Sequence, residues 1–206
     1  MDPDLSFFNG TTYLSTTKGA HDLHPEPGYF SIFLTTIDLT TGNSLAPSSL
    51  FYVSPLPINT PRLAEGSHFY FRNGWYYLFT AEGGTDNAHR EMVSRSRSMS
   101  GPWDQHPQNP ILYNGRNPSE PIQRTGHADL ISTPEGNWYI VFLGTRPVTP
   151  NRESPLGRET FLAPVTWRND WPYVNDNNPV TLDMPGLYTL PRRRSPPELG
   201  KVWKGL

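Results

Sequence analysis

The chain has 206 residues, no cysteine and a formal net charge of −2. The lack of cysteine excludes a disulfide framework and thiolate chemistry. The near-neutral charge provides no basic field of the kind that binds phosphate backbones, so we expect no nucleic-acid partner. The start of the chain has no signal-peptide pattern, and no apolar run is long enough to cross a bilayer. We therefore expect a soluble chain without a membrane partner, and its compartment stays undetermined.

A hairpin pattern recurs along the chain at intervals of about 60 residues. Each copy has a short apolar strand, a turn that ends in glycine and a second aromatic strand, with a tyrosine shortly after the glycine. The three copies are Leu5–Thr16, His68–Thr80 and Asp129–Leu143, with the turn glycines Gly10, Gly74 and Gly136. Regular short strands joined by glycine turns indicate an all-β protein.

A second strand pair follows each copy, so each unit contains about four antiparallel strands, the content of one propeller blade. These following segments are Phe33–Gly42, Met92–Trp103 and Thr160–Trp171. We predict an incomplete β-propeller over residues 1–190, with about three full blades and part of another. Residues 191–206 are predicted to be a tail or the start of a truncated C-terminal region. A β-sandwich with similar hairpins is the alternative.

The first strand of each blade lines the central axis of a propeller. Asp2, Glu65 and His127 lie at nearly the same distance before the three turn glycines, so we expect them to meet in one cleft. Two carboxyl groups in one cleft are what glycosidic bond cleavage requires. Each residue also has a purely structural interpretation: a turn for Asp2, a loop cap for Glu65 and a backbone hydrogen bond for His127.

These residues lie in segments that resemble glycoside hydrolase family 43, five-bladed propeller enzymes that include β-xylosidases and α-arabinofuranosidases. Asp2–Leu5 resembles the second-blade strand whose leading Asp tunes the pKa of the catalytic acid. Ala64–Tyr70 resembles the segment that carries the acid, with Ser67 where the family has Pro. The resemblance thus implies that Glu65 is the acid catalyst and that Asp2 orients it and raises its pKa.

Three further segments resemble parts of the family's sugar pocket. They are Ala81–Thr85 with the nearby His89, Thr125–Leu130 around His127, and Leu156–Thr160 around Arg158. The resemblance implies that Thr85, His89, His127 and Arg158 bind substrate. In some members the histidine corresponding to His127 helps hold a central water or cation, so the resemblance allows a structural calcium there, although no cofactor is required.

Structural alternatives remain for these residues: Thr85 ends a turn, His89 pairs with Glu91, and Arg158 pairs with Glu159. We interpret Glu82, in the same segment as Thr85, as structural. The sequence contains no cluster of His, Cys and carboxylates at metal-ligand spacing, so we expect no catalytic metal.

One element of the family is missing from this sequence. The family's general base is an Asp on the first strand of the first blade, and neither Asp4 nor Asp22 is a suitable substitute. We therefore expect a chain truncated at the N-terminus. The resemblance implies an inverting hydrolase of pentose-containing polysaccharides, which binds xylo- or arabino-oligosaccharides, in a fragment without its base. A catalytically inactive carbohydrate-binding propeller is the main alternative, and a plain scaffold propeller is the other.

Overall fold

The computed structural model describes residues 2–19, 30–57, 62–149 and 153–184. Its strands form three antiparallel four-stranded sheets, each with its strands in chain order. The first sheet contains β1 (Asp4–Phe8), β2 (Thr11–Gly19), β3 (Phe30–Thr36) and β4 (Ser49–Val53). The second contains β5 (Glu65–Arg72), β6 (Trp75–Glu82), β7 (Arg90–Ser96) and β8 (Asp104–Gln105). The third contains β9 (Gln123–Ser132), β10 (Trp138–Thr145), β11 (Arg158–Arg168) and β12 (Trp171–Val174), and a 3₁₀ turn follows at Asn175–Asn177.

The predicted glycine turns join the first two strands of every sheet. Asn9 and Gly10 both have positive φ angles, of 49° and 74°, as do Asn73 and Gly74, of 52° and 76°. Two-residue hairpin turns with left-handed backbone at both positions favour Asn-Gly, since their twist matches that of the strands. The third turn is longer and places Gly136 at a φ of 85°.

The sheets pack face to face in sequence, as neighbouring blades do. Between the second and third sheets lies the larger core, in which Tyr77, Phe79 and Ile140 are fully buried. A smaller core between the first and second sheets buries Ile32 and Leu78. The first strand of the second sheet, β5, contacts both β1 and β9. The first strands of the three sheets are therefore neighbours in space.

Polar contacts at the turn between β11 and β12 hold the second and third sheets together. Arg95 donates hydrogen bonds of 2.7 Å to the backbone oxygens of Asn169 and Asp170, in the turn between β11 and β12. The Tyr77 hydroxyl donates to the same Asp170 oxygen at 2.7 Å. The Arg95 guanidinium also stacks 3.9 Å from the Trp171 ring centroid. These contacts fix the angle between the two blades.

The prediction of an all-β, incomplete propeller is confirmed, with three full blades in the described residues. No strand of a further blade lies within those ranges, and the predicted boundary at residue 190, the tail 191–206 and Asp22 lie outside them. The described residues also form no helix long and apolar enough to cross a membrane. The groove between β1 and β5 leaves Phe7 and Phe71 exposed.

Candidate active site

Glu65 begins β5 at a break in the strand pairing. Glu65 pairs with Ala81 on β6, but the next regular pair is His68 with Phe79, so one extra residue bulges from β5. Gly66, directly after Glu65, has a φ of +53°. A bulge bends a strand and redirects the side chains beside it. The bulge therefore sets the direction of the Glu65 side chain.

The ring of His127 fills the space beside Gly66. A Cβ atom at Gly66 would lie 2.6 Å from His127 Nε2 and 2.7 Å from its Cδ2. Such distances are shorter than any real contact, so only glycine allows the ring to lie there. His127 itself has left-handed backbone, with a φ of 53°, at a bulge in β9. Two bulged strands from neighbouring blades thus meet beside Glu65.

Glu65 is half-buried, and burial raises the pKa of its carboxyl group above the ordinary value of 4.5. The negative charge of Asp2 raises this pKa further, and the positive charge of Arg158 opposes the rise. Asp2 and Arg158 therefore both lie within electrostatic reach of Glu65. Burial lowers the pKa of His127, so its imidazole is neutral near pH 7. The structure brings Asp2, Glu65, His127 and Arg158 together.

His68 links the first strands of all three blades. Its Nδ1 atom lies 3.6 Å from Asp4 Oδ1 on β1 and 3.4 Å from Asp129 Oδ1 on β9. Burial by itself would lower the pKa of His68, but the Asp4 hydrogen bond and the charges of Asp129, Asp4 and Asp2 raise it above 6.5. Asp4, excluded as a base on sequence grounds, is thus engaged by His68.

Glu91 supports the bulge at His127 from the protein interior. Its side chain is fully buried, and its Oε2 accepts a 3.1 Å hydrogen bond from the backbone N–H of Ala128. The backbone N–H of His127 also donates to it. Burial raises the pKa of Glu91 well above 4.5, which favours a neutral carboxylic acid. The sequence indicates Glu91 only as a partner for His89 and carries no signal of this role.

His89 lies behind the site and not on its surface. Only 2% of the residue is exposed, and its Nδ1 is 2.9 Å from the backbone oxygen of Arg124. Burial lowers the pKa of His89, so the neutral ring donates Nδ1–H to that oxygen. This placement differs from the prediction that His89 binds substrate, because the buried ring has no surface for a sugar. The partner is also not Glu91, as the structural alternative had it.

Thr85 and Arg158 share the wall of a cavity of about 320 Å³, which we call the inner cavity. Arg124 and Thr145 also line it. Arg158 and Thr85 are exposed to this opening. Glu159, the alternative partner of Arg158, instead accepts from Arg146 at 2.7 and 2.9 Å.

Glu82, close to Thr85 in the sequence, is fully buried. Its carboxylate accepts from the Ser54 and Tyr52 hydroxyls of the first sheet. These contacts agree with the structural interpretation of Glu82.

The described residues do not fit a calcium ion at His127. Within those ranges no group of three or more His, Cys, Asp or Glu side chains is close enough to hold a metal. Calcium takes about six to eight oxygen ligands, whereas His127 faces the Gly66 backbone and lies with its ring centroid 6.0 Å from that of His68.

A family model described as "Glycosyl hydrolases family 43" matches residues 1–172. The chain is 40% identical over 181 residues to a non-reducing end alpha-L-arabinofuranosidase of Bacteroides ovatus, covering 87% of this chain and 32% of that protein. It is 37% identical over 175 residues to a putative beta-xylosidase of Escherichia coli, covering 79% and 31%. The chain thus spans about a third of the length of these relatives.

Among solved structures, the chain is similar to a xylan beta-1,4-xylosidase from Bacillus halodurans, with a TM-score of 0.77 and 30% identity. The match covers 95% of this chain and 37% of that one. These family neighbours are five-bladed propellers, so the three blades described above are part of that architecture.

We predict that Gly66→Ala destabilises the protein far more than Gly10→Ala does. Both residues have left-handed backbone, which costs a non-glycine residue about 1–2 kcal/mol, but a Cβ at Gly10 has no atom within 4 Å. The additional loss at Gly66 comes from the His127 ring, so it should shrink when His127 is also replaced by Ala. Urea denaturation of Gly10→Ala, Gly66→Ala, His127→Ala and the Gly66→Ala/His127→Ala double variant measures this, and equal losses at Gly66 and Gly10 would contradict the packing described.

We also predict that the stabilising effect of His68 depends on pH. Because the pKa of folded His68 is raised, its charge stabilises the fold fully below pH 6.5, and this stability is lost as the pH rises through the raised pKa. The pKa of Asp4 is lowered, so its contribution to the stability of the fold is present above pH 3.8. The difference in unfolding free energy between the wild type and His68→Gln should therefore be largest between these values and fall above pH 6.5.

His106→Gln is the matched control for His68→Gln. Burial lowers the pKa of His106 to about 4, so the folded protein keeps it neutral while the unfolded chain takes up a proton below pH 6.5. The difference in unfolding free energy between the wild type and His106→Gln should be constant above pH 6.5 and decrease below it. A His68 difference with this same pH dependence would show that His68 is not charged in the fold.

Proposed function

Because the chain belongs to glycosyl hydrolase family 43, we propose that it forms the acid side of the active site of an enzyme that cleaves pentose-containing polysaccharides with inversion. The names of its relatives, an arabinofuranosidase and β-xylosidases, support terminal arabinose or xylose as the sugar that is released. Xylo- or arabino-oligosaccharides are the proposed substrates.

The observation that carries the proposal is the environment of Glu65. A general acid must hold its proton near the working pH and still reach the leaving oxygen. Glu65 is half-buried next to the Asp2 charge, and both burial and that charge raise its pKa. In this proposal Asp2 helps to keep the acid protonated. The inner cavity provides space for a sugar within reach of Arg158.

In the proposed reaction, the sugar that is released occupies the inner cavity. Arg158 donates hydrogen bonds to its hydroxyls through a planar fork of N–H groups, and the Thr85 hydroxyl lies on the same wall. His127 holds its neutral ring against Gly66 and thereby fixes the Glu65 backbone. Glu65 then protonates the glycosidic oxygen as its bond to the sugar breaks.

Inversion requires a second carboxylate that activates water on the opposite face of the sugar, with about 6.5–9.5 Å between the two carboxyl groups. Asp2 raises the pKa of the acid, and Asp4 is engaged by His68, so neither fits this role. We therefore assign the base to another blade of the complete propeller. The chain by itself then binds sugar and positions the acid without completing the reaction.

We predict that Glu65→Gln, in the whole protein that carries this chain, slows hydrolysis of xylobiose or arabino-oligosaccharides by about 10²–10⁴-fold. Activated nitrophenyl glycosides should be slowed far less, because a good leaving group does not need the proton. Steady-state kinetics on both substrate types measures the ratio.

Glu159→Gln serves as the control, since Glu159 adjoins Arg158 in sequence but pairs with Arg146. It should leave both rates within about twofold, as expected for an exposed surface pair. Equal slowing of both substrate types by Glu65→Gln would show that Glu65 is not the acid. Sugar binding without turnover in the whole protein would instead support the inactive carbohydrate-binding propeller.

A further inference from the structure

The first part of β9 does not follow the regular pairing with β10. Val141 and Leu143 of β10 pair with positions 129 and 126 of β9, so both His127 and Ala128 lie between regular pairs. Residues at such a bulge drop out of the hydrogen-bond ladder between the strands. Ala128 is fully buried, and a buried backbone N–H group without a partner is costly. The bulge therefore needs a hydrogen-bond acceptor from outside β10.

Glu91 on β7 supplies the acceptor for the N–H groups of the bulge. Its Oε2 atom lies 3.1 Å from the backbone nitrogen of Ala128, and the N–H of His127 donates to the same carboxyl group. The Glu91 backbone is itself fixed, because its N–H donates to Leu112 at 3.0 Å and its carbonyl oxygen accepts from Ile111 at 2.9 Å. Glu91 thus ties the bulge of one blade to the sheet of the neighbouring blade.

His89, two residues before Glu91, holds the adjoining part of the same strand. Its Nδ1 atom lies 2.9 Å from the backbone oxygen of Arg124, and a Cβ atom at Gly126 would lie 2.8 Å from its Nε2. The buried His89 ring therefore packs against β9 immediately before the bulge. Two buried side chains from one segment thus fix the backbone of residues 124–128.

The environment of Glu91 favours an uncharged carboxyl group. The side chain is fully buried, and in the described part of the chain its second oxygen, Oε1, has no hydrogen-bond partner. A buried ionised carboxylate is costly unless it is paired and hydrogen-bonded. Burial raises the pKa of Glu91 most, and the charges of Asp129 and Glu82 raise it further. A neutral acid still accepts from both N–H groups through its carbonyl oxygen.

We propose that Glu91 is a positioning residue for the general acid, and that it acts as an uncharged hydrogen-bond acceptor. This inference rests on the proposed function. Glu91 is fully buried and does not touch the substrate. It fixes the backbone of His127, whose ring lies against Gly66, the residue that follows Glu65. Without Glu91 the bulge relaxes, and the acid loses its alignment with the glycosidic oxygen.

The test compares kcat/KM for xylobiose and for nitrophenyl xyloside, or the corresponding arabinose pair, in the whole protein that carries this chain. Glu91→Leu should lower kcat/KM for the disaccharide about tenfold more than for the aryl glycoside. The reason is that a misplacement of about 1 Å can cost about 10²-fold in rate, and only the disaccharide needs the proton. A loss of folded protein lowers both values equally, so the ratio does not report stability. Glu91→Gln should restore the ratio, since the amide oxygen accepts from the same N–H groups.

Glu82→Leu is the matched control for Glu91→Leu. Glu82 is also a fully buried glutamate of the second sheet, but it accepts from hydroxyl groups of the first sheet. Its replacement should lower both values to the same extent. If Glu91→Leu does not fold, Glu91→Asp takes its place, because the shorter side chain keeps the carboxyl group but withdraws it from the two N–H groups. Glu91→Asp should change the ratio in the same direction.

An equal loss on both substrates in Glu91→Leu would overturn the proposal, and so would an unchanged ratio. A ratio in Glu91→Gln as low as in Glu91→Leu would show that the charge of Glu91 is needed. If the wild type hydrolyses neither substrate, the proposed function fails separately, and urea denaturation tests the positioning. Gly66→Ala should then cost less stability in Glu91→Leu than in the wild type, because the His127 ring is free to move. An equal cost would refute the positioning.

Discussion

The contact between Gly66 and the His127 ring is the constraint on which the candidate site depends. It exists because β5 and β9, from neighbouring blades, are both bulged where they meet. A side chain at position 66 would push the ring away and take the Glu65 backbone with it. The buried Glu91 holds the other side of the same bulge through the N–H groups of His127 and Ala128. The position of the proposed acid is thus fixed from two blades at once.

The carboxylates near the propeller axis act on two neighbouring groups, His68 and Glu65. Asp4 and Asp129 surround His68, whose pKa they raise, so that a positive charge links three strands. Asp2 acts on Glu65 and raises the pKa of that carboxyl. If His68 were absent, Asp4 and Asp129 would add uncompensated negative charge near the site. Because Asp2 also raises the pKa of His68, the histidine and the proposed acid share one electrostatic environment.

The repeat in the sequence was sufficient to predict the hairpins and the blades, and from it we predict that Asp2, Glu65 and His127 meet in one cleft. Turn glycines determine strand register, and register determines which face of the sheet each side chain occupies. The placement of Arg124 beside the inner cavity could not be predicted. The register shifts in β9 and a left-handed φ at a non-glycine residue leave no signal in the apolar pattern. The burial of His89 was equally hidden, since its partner is a backbone oxygen and not a side chain.

The central claim is that burial and Asp2 hold Glu65 protonated beyond its ordinary range. The most direct measurement is an NMR titration of the Glu65 side-chain carboxyl carbon against pH, in the wild type and in Asp2→Asn. We predict a midpoint above 4.5 in the wild type, and a lower midpoint in Asp2→Asn, because removing a negative charge favours ionisation. A wild-type midpoint at or below 4.5, or the same midpoint in both proteins, would contradict the account.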